Sequence, residues 1–110
     1  MMAGAPAHAQ KIRMIVEGRV IAATLTDNPT TRDLLSMLPL TLTLDDYADT
    51  EKIVYLDRKL STVGAPAGST PKADTIAYYA PWGNLAIFYK DFAYSRGLIT
   101  LGTIDAADAG

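Results

Sequence analysis

Residues 74–90 read DTIAYYAPWGNLAIFYK, and the fold turns on how they are taken. The runs Asp74 to Ala80 and Leu85 to Lys90 are apolar at successive positions and flank Pro81-Trp82-Gly83-Asn84. In an extended chain neighbouring side chains point to opposite faces, so runs of this kind have both faces covered. Gly and Asn between them adopt positive φ at little cost. The stretch therefore predicts a β-hairpin with a four-residue turn, lying in the middle of a sheet.

Beyond the hairpin, Gly97 to Ile104 supplies a last strand, and Lys52 to Leu56 a shorter one. Between them Ser61 to Ala73, with Gly64, Pro66, Gly68 and Pro71, is a long loop. Leu40, Leu42 and Leu44 alternate with Thr41, Thr43 and Asp45, a strand pattern with β-branched residues on its second face, and Asp45 to Thr50 then reads as a polar turn. Asn28-Pro29 is a helix start, since Asn accepts from an orphan N–H and proline at the first helical position needs no donor. The helix should run from about 29 to 38, with Leu34, Leu35 and Leu38 as its apolar stripe, and Pro39 stops it. Nearer the N-terminus, Ile12, Met14 and Val16 alternate with Lys11, Arg13 and Glu17; Glu17-Gly18 turns the chain into a return strand, Val20 to Leu25.

Strands apolar on both faces, with one clear helix, suggest a mainly β, compact, closed or nearly closed barrel. The expected organisation is a flexible tail over 1–10, one domain over 11–105 and a frayed end over 106–110. The tail carries Ala7-His8-Ala9, of the small-x-small type cut by signal peptidases, without the charged and apolar regions that should precede it. It reads as an ordinary terminus of a cytoplasmic protein, or as the remnant of an export signal.

Composition excludes more than it selects. The net charge is -2 and the ten Lys and Arg residues are scattered, so counterion release has no basic stripe to act through and no nucleic-acid partner is expected. No run is long and apolar enough for a bilayer-spanning helix. Without cysteine, and with His8 as the single histidine, thiol chemistry, Cys-based zinc sites, Ser-His-Asp triads and two-His metal sites are all excluded. Asp45, Asp46 and Asp49 lack the Gly and distal Glu of a calcium loop. Neither a metal nor a cofactor is expected.

Four stretches carry a family resemblance: DNPTTRDLLSMLPLTLTLDDYA from Asp27, EKIVYL from Glu51, YYAPWGNLAIFYKDF from Tyr78 and GLITLG from Gly97. Together they resemble the small bacterial cyclophilin-like family over roughly 11–105. The resemblance implies a compact cyclophilin-type barrel, in a family most of whose members lack an assigned activity. One departure lies at Ala73-Asp74, where the family pattern has Gly-Asp; if glycine serves the backbone there, Ala73 must strain or shift the start of the strand. A prolyl isomerase must lower a barrier of about 18–20 kcal/mol by holding proline in an apolar pocket beside a guanidinium. The Phe-His-Arg run, Gly-Gly-Asp segment and pocket histidine of true cyclophilins are not found, and neither Arg32 nor Arg96 matches the catalytic arginine. No catalytic residue is assigned.

Seven of the nine aromatic residues fall between Tyr78 and Tyr94. Strand alternation assigns Phe88 and one of Tyr78 and Tyr79 to the core. Trp82 sits in a turn, where a large ring has no strand to bury it, so a ligand-facing role stands beside a packing one. Asn84 supplies either positive φ or a ligand contact. With Tyr89, and with Arg32 and Glu51 as the charged groups, these are the candidate ligand-binding residues; the plainer alternatives are surface ion pairs of Arg32 with Asp33 and Glu51 with Lys52, and a solvated strand end at Lys90-Asp91. Three functions follow in order: a module binding a peptide or small molecule near Pro81–Asn84 without turnover, a divergent enzyme such as a weak prolyl isomerase, and a self-associating structural domain. The oligomeric state is left open.

Overall fold

The N-terminal alternation folds as a long hairpin. In the computed structural model, which describes residues 9–16, 18–39, 45–47 and 50–105, β1 (Ala9–Val16) pairs antiparallel with β2 (Arg19–Thr26) in continuous register from Ala9↔Thr26 to Val16↔Arg19. β1 takes in Ala9 and Gln10, ahead of the alternation. Helix α1 (Pro29–Leu35) follows, then β3 (Asp45–Tyr47), β4 (Glu51–Tyr55), β5 (Gly68–Ser69), β6 (Thr75–Tyr79), β7 (Asn84–Phe88), β8 (Ser95–Arg96) and β9 (Leu98–Ile104). Seven strands form one antiparallel sheet in the order β1-β2-β9-β6-β7-β4-β3, while β5 and β8 make a separate two-stranded ribbon. The expected strand over Leu40–Leu44 lies outside the described residues, as do the ends 1–8 and 106–110.

The sheet curls into a half-barrel. A closed barrel would need a ladder between the first and last strands, and among the described residues β1 and β3 remain its two ends. The expectation of closure came from strands apolar on both faces, but packing on each side of the sheet answers that pattern. On one face Ala23, Leu25, Ile76, Tyr78, Ile99 and Leu101 pack with Leu34 of α1 and Leu60 of the following loop. On the other, Ile53, Ala77, Ala86, Phe88 and Leu98 form a second cluster, with Tyr79 against it. β6 and β7 lie near the centre of the strand order, which is why their sequence decides the fold.

Local chemistry explains where elements start and stop. Asn28 caps α1, its Oδ1 accepting from the Thr31 N–H at 2.7 Å, with Pro29 at the first helical position. The helix ends at Leu35 and not Leu38, because the N–H groups of Met37 and Leu38 turn to the carbonyls three residues back, Leu34 and Leu35. Leu38 is consequently exposed and Thr30 and Thr31 are buried in its place. Asp45–Tyr47, expected as part of a turn, pairs with β4 from Asp45↔Ile53 to Tyr47↔Glu51. Ladder formation with a distant strand overrides the turn preference of aspartate. At Ala73-Asp74 the positive φ falls on Asp74 (75°), not Ala73. Aspartate tolerates that region better than most residues, and the Asp74 N–H donates to the Phe88 carbonyl at 2.7 Å, so the strand starts without glycine.

Candidate functional site

Strand register gathers the aromatic and polar residues into rows. Tyr55, Asn84 and Tyr79 are cross-strand partners on β4, β7 and β6, and Leu98 continues the row on β9. The next row on the same face is Ile53, Ala86, Ala77 and Thr100, and beyond it Glu51 stands beside Phe88. Two small residues, Ala77 and Ala86, thus separate an aromatic row from an acidic one.

At the aromatic end, Trp82 stacks edge-on against Tyr79, centroids 5.3 Å apart and planes at 78°. Trp82 is 47% exposed and Tyr55 57%, whereas Asn84 between their strands is 1% exposed. The turn is held by Tyr79, whose carbonyl accepts from the N–H groups of Trp82 and Gly83, and by the Ala80 N–H on the Gly97 carbonyl. Gly83, with φ of 71°, supplies the left-handed residue that Asn84 was expected to share. Asn84 is instead the first residue of β7. Its Nδ2 donates to the Leu85 carbonyl at 3.0 Å, and its buried Oδ1 has no protein partner. Such a carbonyl retains an unmet capacity to accept, at a cost of about 1–3 kcal/mol.

At the other end, about 13 Å along the strand, the Tyr89 N–H donates to the Thr50 carbonyl and brings Tyr89 beside the start of β4. Burial raises the Glu51 carboxyl above its ordinary pKa of 4.5, and the Thr50 hydroxyl opposes that shift. Glu51 and Lys52 are consecutive strand residues and so project to opposite faces of the sheet. Because the folded pKa is raised, the stability linked to Glu51 is complete below pH 4.5 and declines as pH rises through the folded value. Glu51→Gln should therefore match the wild type in thermal midpoint near pH 4 and exceed it increasingly toward neutrality. A pH-independent difference in melting series by circular dichroism would contradict this assignment.

Arg32 lies apart, on α1, with Nη1 2.6 Å from Asp27 Oδ1. Its expected partner Asp33 is taken by Arg58 at 2.8 and 3.0 Å and by the Ser61 N–H at 2.7 Å. Those two contacts, the guanidinium first, hold the Asp33 carboxyl below its ordinary value. Asp91, expected at a solvated strand end, accepts from the Ala73 N–H at 2.8 Å.

The five candidates thus occupy three places: Trp82 with Asn84, Tyr89 with Glu51, and Arg32 on the helix side. Asn84 and Glu51 share a face at opposite ends of it. The sequence missed Tyr55, which lies outside the aromatic-rich segment and joins Asn84 only through the register of β4 against β7. Among the described residues no group of three His, Cys, Asp or Glu could hold a metal ion, and no helix is long and apolar enough to cross a membrane.

The profile of the Cyclophilin-like family matches residues 14–110. No curated protein and no solved structure matches the chain significantly.

Proposed function

The chain belongs to the Cyclophilin-like family, and from that premise we propose that it is a binding module, holding a peptide or small ligand without turnover at the Pro81–Asn84 end of the β6–β7 hairpin. The observation that carries this reading is the row Tyr55–Asn84–Tyr79 with Trp82 stacked at its end. Partly exposed rings offer large contact area at low entropic cost, and the Asn84 carbonyl beneath them can accept from a ligand N–H once a ring moves aside. Glu51 pairs with Phe88 at the far end of β7 from Asn84, and Arg32 is engaged by Asp27 on α1, so neither candidate charged group joins Trp82, which favours binding over the divergent-enzyme reading. Self-association draws on Ile15 and Val20, exposed cross-strand partners in the N-terminal hairpin, but two side chains make a small patch.

Trp82 is the single tryptophan, so its emission reports on this site alone. Titration with a panel of proline-containing and aromatic peptides and small metabolites should give a saturable change, with the ligand recovered unaltered. Tyr55→Ala, on an exposed ring, should weaken that ligand about tenfold. Silence from the whole panel, or an affinity indifferent to Tyr55→Ala, would remove the proposal.

A further inference from the structure

β2 pairs with β9 only over Ala23–Leu25 against Gly102–Ile104, so β9 from Leu98 to Leu101 has β6 on one side and no β2 partner on the other. Beside this unpaired stretch of β9 lies a cleft of about 210 Å³, walled by the start of α1, the loop around Val63 and Ala65, Ser69 of β5, and Ile99 and Thr100 of β9. None of its lining residues is charged. The cleft is separate from the Trp82 end of the sheet and shares no lining residue with it.

Counting protons defines what it accepts. The Ser69 hydroxyl has one proton and donates it to the Leu98 carbonyl at 2.9 Å. It must then accept in its 3.2 Å contact with Thr100, which commits the Thr100 proton as well. Thr30 likewise donates its proton to the Ser61 carbonyl. All three hydroxyls of the cleft are left with lone pairs only. Asn28 is the complement: its Oδ1 is occupied by the Thr31 N–H, while none of the hydrogen bonds of the described residues uses its Nδ2 protons. The helix contributes a wall and not an anion site, since α1 has seven residues and the Thr31 N–H is already taken.

A lining with hydroxyl acceptors, one amide donor, apolar walls and no charge is complementary to a molecule that carries N–H donors beside a carbonyl. We infer that this cleft is a binding site for a small neutral primary amide, its N–H group on Thr100 Oγ1, its carbonyl toward Asn28 Nδ2, and its apolar body against Val63 and Pro66. The volume equals about seven waters of liquid, the size of a monocyclic amide. An anion would meet lone pairs in an uncharged site, and a cation would find no carboxylate.

Three probes of one shape test this: benzamide, acetophenone (NH2 replaced by CH3) and benzoate (NH2 replaced by O−), each titrated into the full chain by amide chemical-shift mapping. Benzamide should shift the Gly64, Ser69 and Thr100 amides saturably, and bind at least about fivefold more tightly than either acetophenone or benzoate. Thr100→Val, an exposed and shape-conserving change, should abolish the preference for benzamide over acetophenone while leaving any Trp82 emission response intact. Equal or tighter binding of acetophenone or benzoate, a preference that survives Thr100→Val, or no shift at these amides up to the solubility limit of benzamide would each overturn the assignment.

Discussion

Gly102→Ala should lower the stability of this domain by about 3 kcal/mol, a fall in thermal midpoint on the order of 15 °C. Gly102 stands between two strands, opposite Leu25 on β2 and Ile76 on β6. A methyl group there would overlap the Thr24 carbonyl oxygen, and would come within 2.7 Å of the Leu25 Cα. Both are backbone atoms of β2, so no side-chain rotation relieves the clash; the strands must part. The register is already irregular here, because Ile76 faces Gly102 while Ala77 faces Thr100, leaving Leu101 as an extra residue. Alanine restricts the unfolded chain and so recovers about 0.5–1 kcal/mol, too little to offset displaced strands. Urea unfolding of both proteins measures the difference directly. A midpoint within experimental error of the wild type would mean that β2 and β9 are further apart than described.

Tyr78→Phe should cost about 2 kcal/mol, although it removes one oxygen and leaves no cavity. Tyr78 is 1% exposed, and its Oη accepts from the Leu60 N–H at 3.0 Å inside the cluster that α1 also joins. Leu60 is the apolar anchor of the loop between β4 and β5. Without the phenol oxygen its N–H is buried among apolar side chains with no acceptor, and the desolvation of that group is lost without return. Hydrogen exchange distinguishes this from general loosening. The Leu60 amide should lose protection selectively, beyond the global change seen at the β6 and β7 amides. Unchanged protection at Leu60 would show that the phenol contributes only its ring.

The same two residues show which features were legible in the chain. That one of Tyr78 and Tyr79 belongs to the core follows from period-two alternation, a property of each strand considered alone, but which of the two does not. Nor does the acceptor role of the Tyr78 hydroxyl, because Leu60 lies 18 residues away in a loop whose path depends on packing. Gly102 reads in the sequence as one more small residue in an apolar strand, and its necessity appears only when β2 lies against it. Arg32 makes the same point from charge. Adjacent Asp33 looked like its partner, yet neighbouring positions on a helix do not face each other, and Asp27 and Arg58 divide the pair.

What is local was legible along the chain: the N-terminal hairpin, the Asn28 cap, the strands at β4, β6, β7 and β9, and the chemistry excluded by the absence of cysteine and by the single histidine. Backbone propensity and side-chain periodicity act over a few residues, so a few residues disclose them. Long-range packing settled what depends on partners distant in the chain. It set the half-barrel against a closed one, the short edge strand β3, the row that joins Tyr55 to Asn84, and the cleft between the start of α1, the Val63–Pro66 loop and β9. Each is a matter of register and of how distant segments meet. Those are fixed by the packing energy of whole faces, which no single segment carries.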